Sequence, residues 1–262
     1  MILIGFHAVE SMLSAGKKVH MIHLLQRGEA GRPGALLRLT QKHRVPVKEY
    51  SSKDKLKFEQ EFRRLGGQPA DLEGAQGVFA QVPDFEYTPL VDLLNGARES
   101  CPYPIVLFLD EVTDPQNVGA ILRSSAFFGV TGVVLPEHRS SPITPVAIKI
   151  SSGGLAHVPV AKVTNLARGI EEAKEAGFWA VGLSEHAEES LDTARLDVPL
   201  ALVIGSEEKG IRDLTAKTCD YTLSLPAQGS LKSLNAAMAA AVALALVRER
   251  QRLLGPARNN GR

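Results

Sequence analysis

Three short stretches of the 262-residue chain combine residue types that can do polar chemistry. The first, Asp114-Pro115-Gln116-Asn117-Val118-Gly119-Ala120-Ile121-Leu122-Arg123-Ser124, closely follows the apolar residues 105–109. A strand that ends, a loop that turns and a helix that begins near Asn117 make Asn117 either the helix N-cap or a group in a polar site. Arg123 lies among small and apolar helix residues, so its guanidinium either snorkels to solvent or points into that site. The second stretch, Gly205-Ser206-Glu207-Glu208-Lys209-Gly210-Ile211, has the glycine spacing of a phosphate-binding loop. Ile211-Arg212 stands where such a loop requires Lys-Ser/Thr, and two glutamates repel a triphosphate. It suits hydroxyls or a cationic ligand, or else an acidic helix start. The third stretch, residues 226–235, is a polar loop entering an alanine-rich helix expected at 236–250, which Ser233 or Asn235 can cap.

Each stretch follows a short, near-continuous apolar run, at 105–109, 200–204 and 221–225, with further runs at 132–135 and 178–183. Alternating with helical patterns, such runs predict a parallel sheet covered on both faces. Functional groups then belong at the loops leaving the carboxyl ends of its strands. Residues 1–85 predict a separate small α/β module with strands at 19–25, 45–50 and 77–82 and helices at 33–43 and 52–65. Prolines 83, 89, 102 and 104 mark 86–104 as a linker, leaving a domain at 105–254 and a flexible tail at 255–262.

With 44% hydrophobic and 23% charged residues, the composition is that of a globular chain able to bury a core. Thirty basic residues against 29 acidic ones give a net charge of +1, which excludes a bulk electrostatic attraction to nucleic acid. The distribution is uneven: residues 1–85 hold 13 basic and 9 acidic side chains, residues 105–254 hold 14 and 17. In the first module Lys42, His43, Arg44, Lys48, Lys53, Lys55, Lys57, Arg63 and Arg64 form either a solvated face or an RNA-facing patch. Only Cys101 and Cys219 are present, which excludes a disulfide framework and fits a reducing cytoplasm. No paired-Cys or HExxH motif marks a metal, and His138, His157 and His186 lack ligand spacing. GxGxxG and GxSxG are absent, which disfavours nicotinamide and esterase chemistry. The longest apolar stretch, 236–247, is shorter than the ~20 residues that span a bilayer.

In their order and spacing the three stretches resemble the SpoU (TrmH-like) branch of the SPOUT RNA methyltransferases. Asp114 to Ser124 is similar to that family's first motif, Ile204-Gly205 through Gly210-Ile211 to its second, and Leu225-Pro226 through Ser233-Leu234-Asn235 to its third. Ile4-Gly5-Phe6-His7-Ala8-Val9 and Gly74-Ala75-Gln76-Gly77-Val78 resemble the substrate-binding domain, similar to ribosomal protein L30e, of the RlmB-like members that methylate 23S rRNA. Ala75 stands where those relatives commonly carry His.

The resemblance implies an α/β fold: a C-terminal parallel-sheet SPOUT domain with a trefoil knot at 105–254, preceded by a small L30e-like RNA-binding domain at 1–85. It also implies a cytoplasmic homodimer formed through the C-terminal domain, with no membrane or DNA partner. The cofactor implied is S-adenosylmethionine, released as S-adenosylhomocysteine. The reaction implied is 2′-O-methylation of an RNA ribose, the N-terminal module favouring a guanosine of 23S rRNA. A tRNA ribose methyltransferase and a non-catalytic RNA-binding protein of the same fold are the alternatives. Carried over by motif, the cofactor contacts are Gly205, Leu225 and Leu234, and the catalytic group is Arg123, Asn117, Glu207, Ser233 and Asn235. The resemblance offers Arg123 two roles, the general base assigned to the matching arginine of relatives or stabilisation of the developing oxyanion, and the strong basicity of a guanidinium favours the second. Asn117 orients Arg123 or the ribose, Glu207 holds the arginine or its loop, and Ser233 and Asn235 hydrogen-bond around substrate and cofactor.

Overall fold

A computed structural model of the chain describes residues 1–26, 33–72, 75–83, 85–207, 209–227, 229–230 and 233–254. The tail expected at 255–262 and the motif residues Gly74, Glu208, Gln228, Leu231 and Lys232 lie outside the described residues. The chain runs through β1 (Ile2–Ile4), α1 (Phe6–Ser14), β2 (Met21–Leu25), α2 (Pro33–His43), β3 (Val47–Tyr50), α3 (Lys55–Arg64) and β4 (Val78–Gln81). It continues through α4 (Leu90–Ser100), β5 (Ile105–Leu109), α5 (Pro115–Phe127), β6 (Gly132–Pro136), α6 (Pro145–Ile150) and β7 (Val160–Val163). Last come α7 (Leu166–Glu175), β8 (Trp179–Leu183), β9 (Leu200–Ile204), α8 (Asp213–Thr218), β10 (Tyr221–Leu223) and α9 (Ala236–Leu254). Two compact units result: Met1–Glu86 with Ile143–His157, and Tyr87–Pro142 with Val158–Arg262.

The first unit holds a mixed sheet in the order β1-β4-β2-β3, with β4 antiparallel to β1 and β2, and β3 parallel to β2. In α3 the four-residue spacing of Phe58 and Phe62 turns both rings onto Phe79 of β4 while the charged residues face outward. His23 of β2 is fully buried against the Phe79 ring, with ring centroids 4.3 Å apart. Its Nδ1 lies 3.0 Å from the Tyr50 hydroxyl and its Nε2 3.0 Å from Gln81 Nε2. Burial pushes the imidazole pKa down to about 4.

The expected contiguous boundaries differ from these units in two places. Helix α6 packs on β1 in the first unit, where Ala147 and Ile148 are buried. Gly153, at φ +91°, passes so close to Ser11 of α1 that any side chain would overlap it. Residues 86–104 are not merely a connection. Their prolines bracket α4, and Leu90, Leu93, Leu94 and Ala97 are buried in the second unit's core.

That second core surrounds a six-stranded parallel sheet in the order β10-β8-β9-β5-β6-β7. Val106 and Phe108 face α4 and α7, so the equally buried Ile105, Leu107 and Leu109 face the opposite layer. There α9 packs on β9 and on α5. Ala236, Ala240, Ala243, Leu244 and Val247 form its buried stripe, while Met238 and Val242 stay exposed. Half-buried Arg248 fastens its far end, donating to the carbonyls of Tyr103, Phe128 and Gly129. The chain progresses from β5 towards β7, then resumes on the other side of β5 with β8 and β9. Strands β5 and β9 therefore flank the topological switch point, where a crevice opens at their carboxyl ends.

One ion pair pins that crevice. Asp110, fully buried where β5 ends, accepts from the Arg212 backbone N–H at 2.9 Å and from Arg212 Nε at 2.7 Å. Arg212 also approaches Glu111 at 3.7 Å, and Glu111 meets Arg139 at 3.3 Å. Asp110→Asn keeps the volume but turns one acceptor into a donor facing a donor. It is expected to cost about 2 kcal/mol or more of stability, read as a lowered midpoint in urea unfolding. For His23, the folded state favours the neutral ring and the unfolded state titrates near its ordinary 6.5. Its contribution is therefore complete above pH 6.5 and is lost as the pH falls towards 4, by at most ~3 kcal/mol. Thermal unfolding followed from pH 7 to 4 should show this loss in the wild type, and His23→Asn should lack it.

Candidate active site

The loops after β5 and β9 leave adjacent strands, and the loop after β10 leaves the same sheet edge two strands away. At the first loop Asp114 caps α5, accepting from the Gln116 N–H at 2.8 Å, with Pro115 in the first turn. Asn117 is therefore not the N-cap. The proline fixes the helical start two residues earlier than expected, and this frees the Asn117 amide for the site.

After β9 the chain closes a tight turn, with Ser206 and Gly210 exchanging backbone hydrogen bonds at 3.1 and 3.0 Å. Only glycine fits at position 205, since any Cβ would overlap the Gly210 carbonyl, and Gly210 itself has φ +63°. The turn presents Glu207 outward, and Glu207 Oε1 accepts from Asn117 Nδ2 at 2.7 Å. This bond ties the first two motif stretches together across the crevice. The acidic turn is not a helix start, because α8 begins only at Asp213.

After β10, Ser224 is held by the 184–191 segment: its N–H and hydroxyl donate to the Glu189 carbonyl, and its own carbonyl accepts from the Leu191 N–H. The strand stops at Leu223, two residues short of the expected 225. Asn235 caps α9, its Oδ1 accepting from the Met238 N–H at 2.7 Å. Ser233 is exposed and its hydroxyl has no hydrogen-bond partner among the described residues. Leu225 is half-buried and Leu234 is 43% exposed. The backbone N–H groups of Gly205 and Leu225 donate to no described residue.

Arg123 does not join the Asn117–Glu207 pair. It is exposed, makes no ion pair with a described residue, and lies about 9 Å further along the α5 axis, roughly a third of a turn round. Its side of the helix also carries Phe127, which is 82% exposed. Sequence reasoning missed Asp110, Glu111 and Arg212. The available signal was an acid ending an otherwise wholly apolar buried strand. Together the loops offer an amide fixed by a carboxylate and, among the described residues, a hydroxyl and backbone donors without partners beside apolar side chains, while the Arg123 guanidinium stands apart on α5. Such a set can hold a ligand with polar edges and an apolar face.

The sequence profile of the SpoU rRNA Methylase family matches residues 104–245, which include all three loops. The chain is 38% identical over 238 residues to YacO of Bacillus subtilis, assigned to the TrmH family of tRNA/rRNA methyltransferases, covering 91% of each chain. It is 36% identical over 250 residues to the 23S rRNA (guanosine-2′-O-)-methyltransferase RlmB of Pseudomonas putida, covering 94% of this chain and 96% of that one. Its fold is similar to that of the SpoU methyltransferase AviRb from Streptomyces viridochromogenes, solved in complex with AdoMet, at a TM-score of 0.74 and 24% identity over 97% of this chain and 91% of that one. With more than half its length matched by the family profile and full-length relatives above one-third identity, the chain belongs to the SpoU methylase family.

Proposed function

We propose that the protein transfers a methyl group from S-adenosylmethionine to the 2′-oxygen of a ribose in RNA. A guanosine of 23S rRNA is the target and S-adenosylhomocysteine the product. The observation that carries this reading is the Asn117–Glu207 hydrogen bond, which joins two of the family's motifs at the switch-point crevice. The choice of 23S rRNA rests on the Pseudomonas putida relative, which aligns over 94% of this chain and so includes the N-terminal unit. RNA rather than DNA follows from the acceptor, a hydroxyl that DNA lacks.

The residues present fit this cofactor. The N–H groups of Gly205 and Leu225, which donate to no described residue, offer backbone donors at strand ends. Leu225 and Leu234 add partly exposed apolar side chains from the β10–α9 connection, which suit a heterocycle with polar edges. When bound, S-adenosylmethionine supplies an activated methyl group. A ribose hydroxyl is a weak nucleophile at neutral pH, so the chain must align it and stabilise the charge developing on its oxygen. Arg123 carries the second task, its planar guanidinium presenting a cationic fork of N–H donors to the oxygen. Asn117, fixed by Glu207, positions the ribose. Ser233, whose hydroxyl has no partner among the described residues, donates it, and Asn235, whose Oδ1 is engaged in the cap, offers Nδ2 to substrate or cofactor.

Arg123 completes this site from a second copy of the chain. In one chain it points away from Asn117, beside Phe127, and the adjoining α9 exposes Met238 and Val242 four residues apart, with Leu234 just before them. Pairing of two such apolar faces buries them and carries each Arg123 to the other crevice, making a homodimer through the C-terminal unit. To that unit we also assign the family's trefoil knot, a reading supported by the return of α9 from the edge strand β10 to β9 and α5. The N-terminal unit is read as L30e-like and RNA-binding on the strength of its mixed four-stranded sheet. An rRNA substrate puts the protein in the cytoplasm. Among the described residues no helix is long and apolar enough to cross a membrane.

Mapping of 2′-O-methylation in cells lacking the protein should show one guanosine of 23S rRNA losing its methyl group, with tRNA unchanged. Loss of a tRNA methyl group instead would reassign the substrate. Arg123→Ala should slow methyl transfer by about 10²-fold or more. Calorimetry should show S-adenosylmethionine binding within twofold of wild type. A variant that binds the cofactor and retains full transfer would overturn the role given to Arg123.

A further inference from the structure

The cations of the first unit fall into two populations. On and beside α3 most have an acidic partner: Lys55 pairs with Glu59, Lys57 with Asp54, and Lys48 and Arg64 with Glu61, while Lys53 and Arg63 pair with no described residue. Where β2 and β3 begin they are not paired at all. Strands β2 and β3 run parallel, with Ile22 opposite Val47, so the connections that enter them lie side by side. One is residues 15–20, after α1, and carries Lys17, Lys18 and His20; the other is residues 44–46, after α2, and follows Lys42 and His43 with Arg44. Backbone bonds fix both: His20 N–H to the Gln81 carbonyl at 2.8 Å, Val45 N–H to Thr40 at 2.9 Å and Ile22 N–H to Pro46 at 3.0 Å. All six side chains are exposed, and none makes a hydrogen bond or ion pair with a described residue. Neither 11–28 nor 30–48 contains a single Asp or Glu.

Helix dipoles account for part of this, since α1 and α2 both end at this pole and favour one cation each in the last turn. They do not account for the rest. Arg38 and Lys42, exposed four residues apart on α2, repel each other, and Arg44 keeps a long charged side chain at φ +53°, where Asn or Gly is less strained. No large apolar side chain is exposed among the described residues before Leu56, so the pole lacks what a membrane or a helical partner would grip. Separated point charges without apolar contacts or acidic partners match a repeating polyanion.

We propose that this pole, through Lys17, Lys18, Lys42 and Arg44, holds phosphates of the RNA substrate, in a sequence-independent grip separate from the methyl-transfer crevice. The proposal rests on RNA being the substrate. It predicts that affinity falls with salt through these residues and that the paired Lys55 and Lys57 add little.

The test is filter binding of full-length protein to unmethylated 23S rRNA transcribed in vitro, without cofactor, over a salt series. Lys18→Gln/Lys42→Gln/Arg44→Asn is expected to weaken binding about tenfold or more and to lower the slope of log affinity against log salt by about 2. Lys55→Gln/Lys57→Gln should bind within twofold of wild type. Unchanged midpoints of thermal unfolding exclude misfolding of either variant. Wild-type affinity and slope in the triple variant overturn the proposal, as does equal weakening by the α3 pair. A wild-type protein that binds this RNA through the pole but transfers no methyl group to it removes the proposed reaction and leaves the grip standing. Normal transfer by a triple variant with unweakened binding does the reverse.

Discussion

Asp110 loses its water where β5 ends, and a carboxylate stripped of solvent is tolerated only when donors replace the water. Arg212 supplies both, one from its backbone and one from its side chain. Because Arg212 belongs to the connection after β9, satisfying Asp110 draws that connection back over the crevice between β5 and β9. The turn then closes between Ser206 and Gly210, and glycine at 205 lets the two backbones pass. Glu207 is thereby held within reach of Asn117. The polar geometry of the site is thus a consequence of burying one acid, and the residues that touch substrate in our reading do not set it themselves.

Much of this architecture is legible in the chain. The apolar runs at 105–109 and 200–204 coincide with β5 and β9, because strands covered on both faces have no polar alternation to blur their ends. Helix α2 is likewise found where its periodicity places it. Elements that depend on a partner are less visible. Strand β7, with Lys162 among only four residues, is recruited by pairing with β6, and β1 is a three-residue strand whose identity comes from β4. The prolines around α4 read as linker punctuation, yet proline is equally at home just before a helix, and only the burial of Leu93 and Leu94 decides between the two. The Asn117–Glu207 and Asp110–Arg212 contacts join residues 90 and 102 positions apart, beyond the reach of any local pattern.

Helix α9 shows how one apolar sequence can serve two surfaces. Alanines at 236, 240 and 243 bring its backbone close to the sheet, and Arg248 anchors its other end to three carbonyls. The residues between them, Met238 and Val242, are apolar and face outward. A helix that is hydrophobic nearly all round is expected either in a core or between two covered faces, and the described residues cover one face of this one.

Residues Ile143–His157 bear on how the protein is made as well as on its shape. They belong to the first unit, where Ala147 and Ile148 lie buried and α6 packs on β1, yet they are encoded after β6 of the second. On a ribosome, the first 86 residues emerge long before this closing segment does. The N-terminal unit must wait, with the surface that α6 will cover open to water, while α4, β5, α5 and β6 are synthesised. Neither unit is then a self-contained cassette for evolution to exchange at residue 86, and their order in the chain is not the order in which they can be completed.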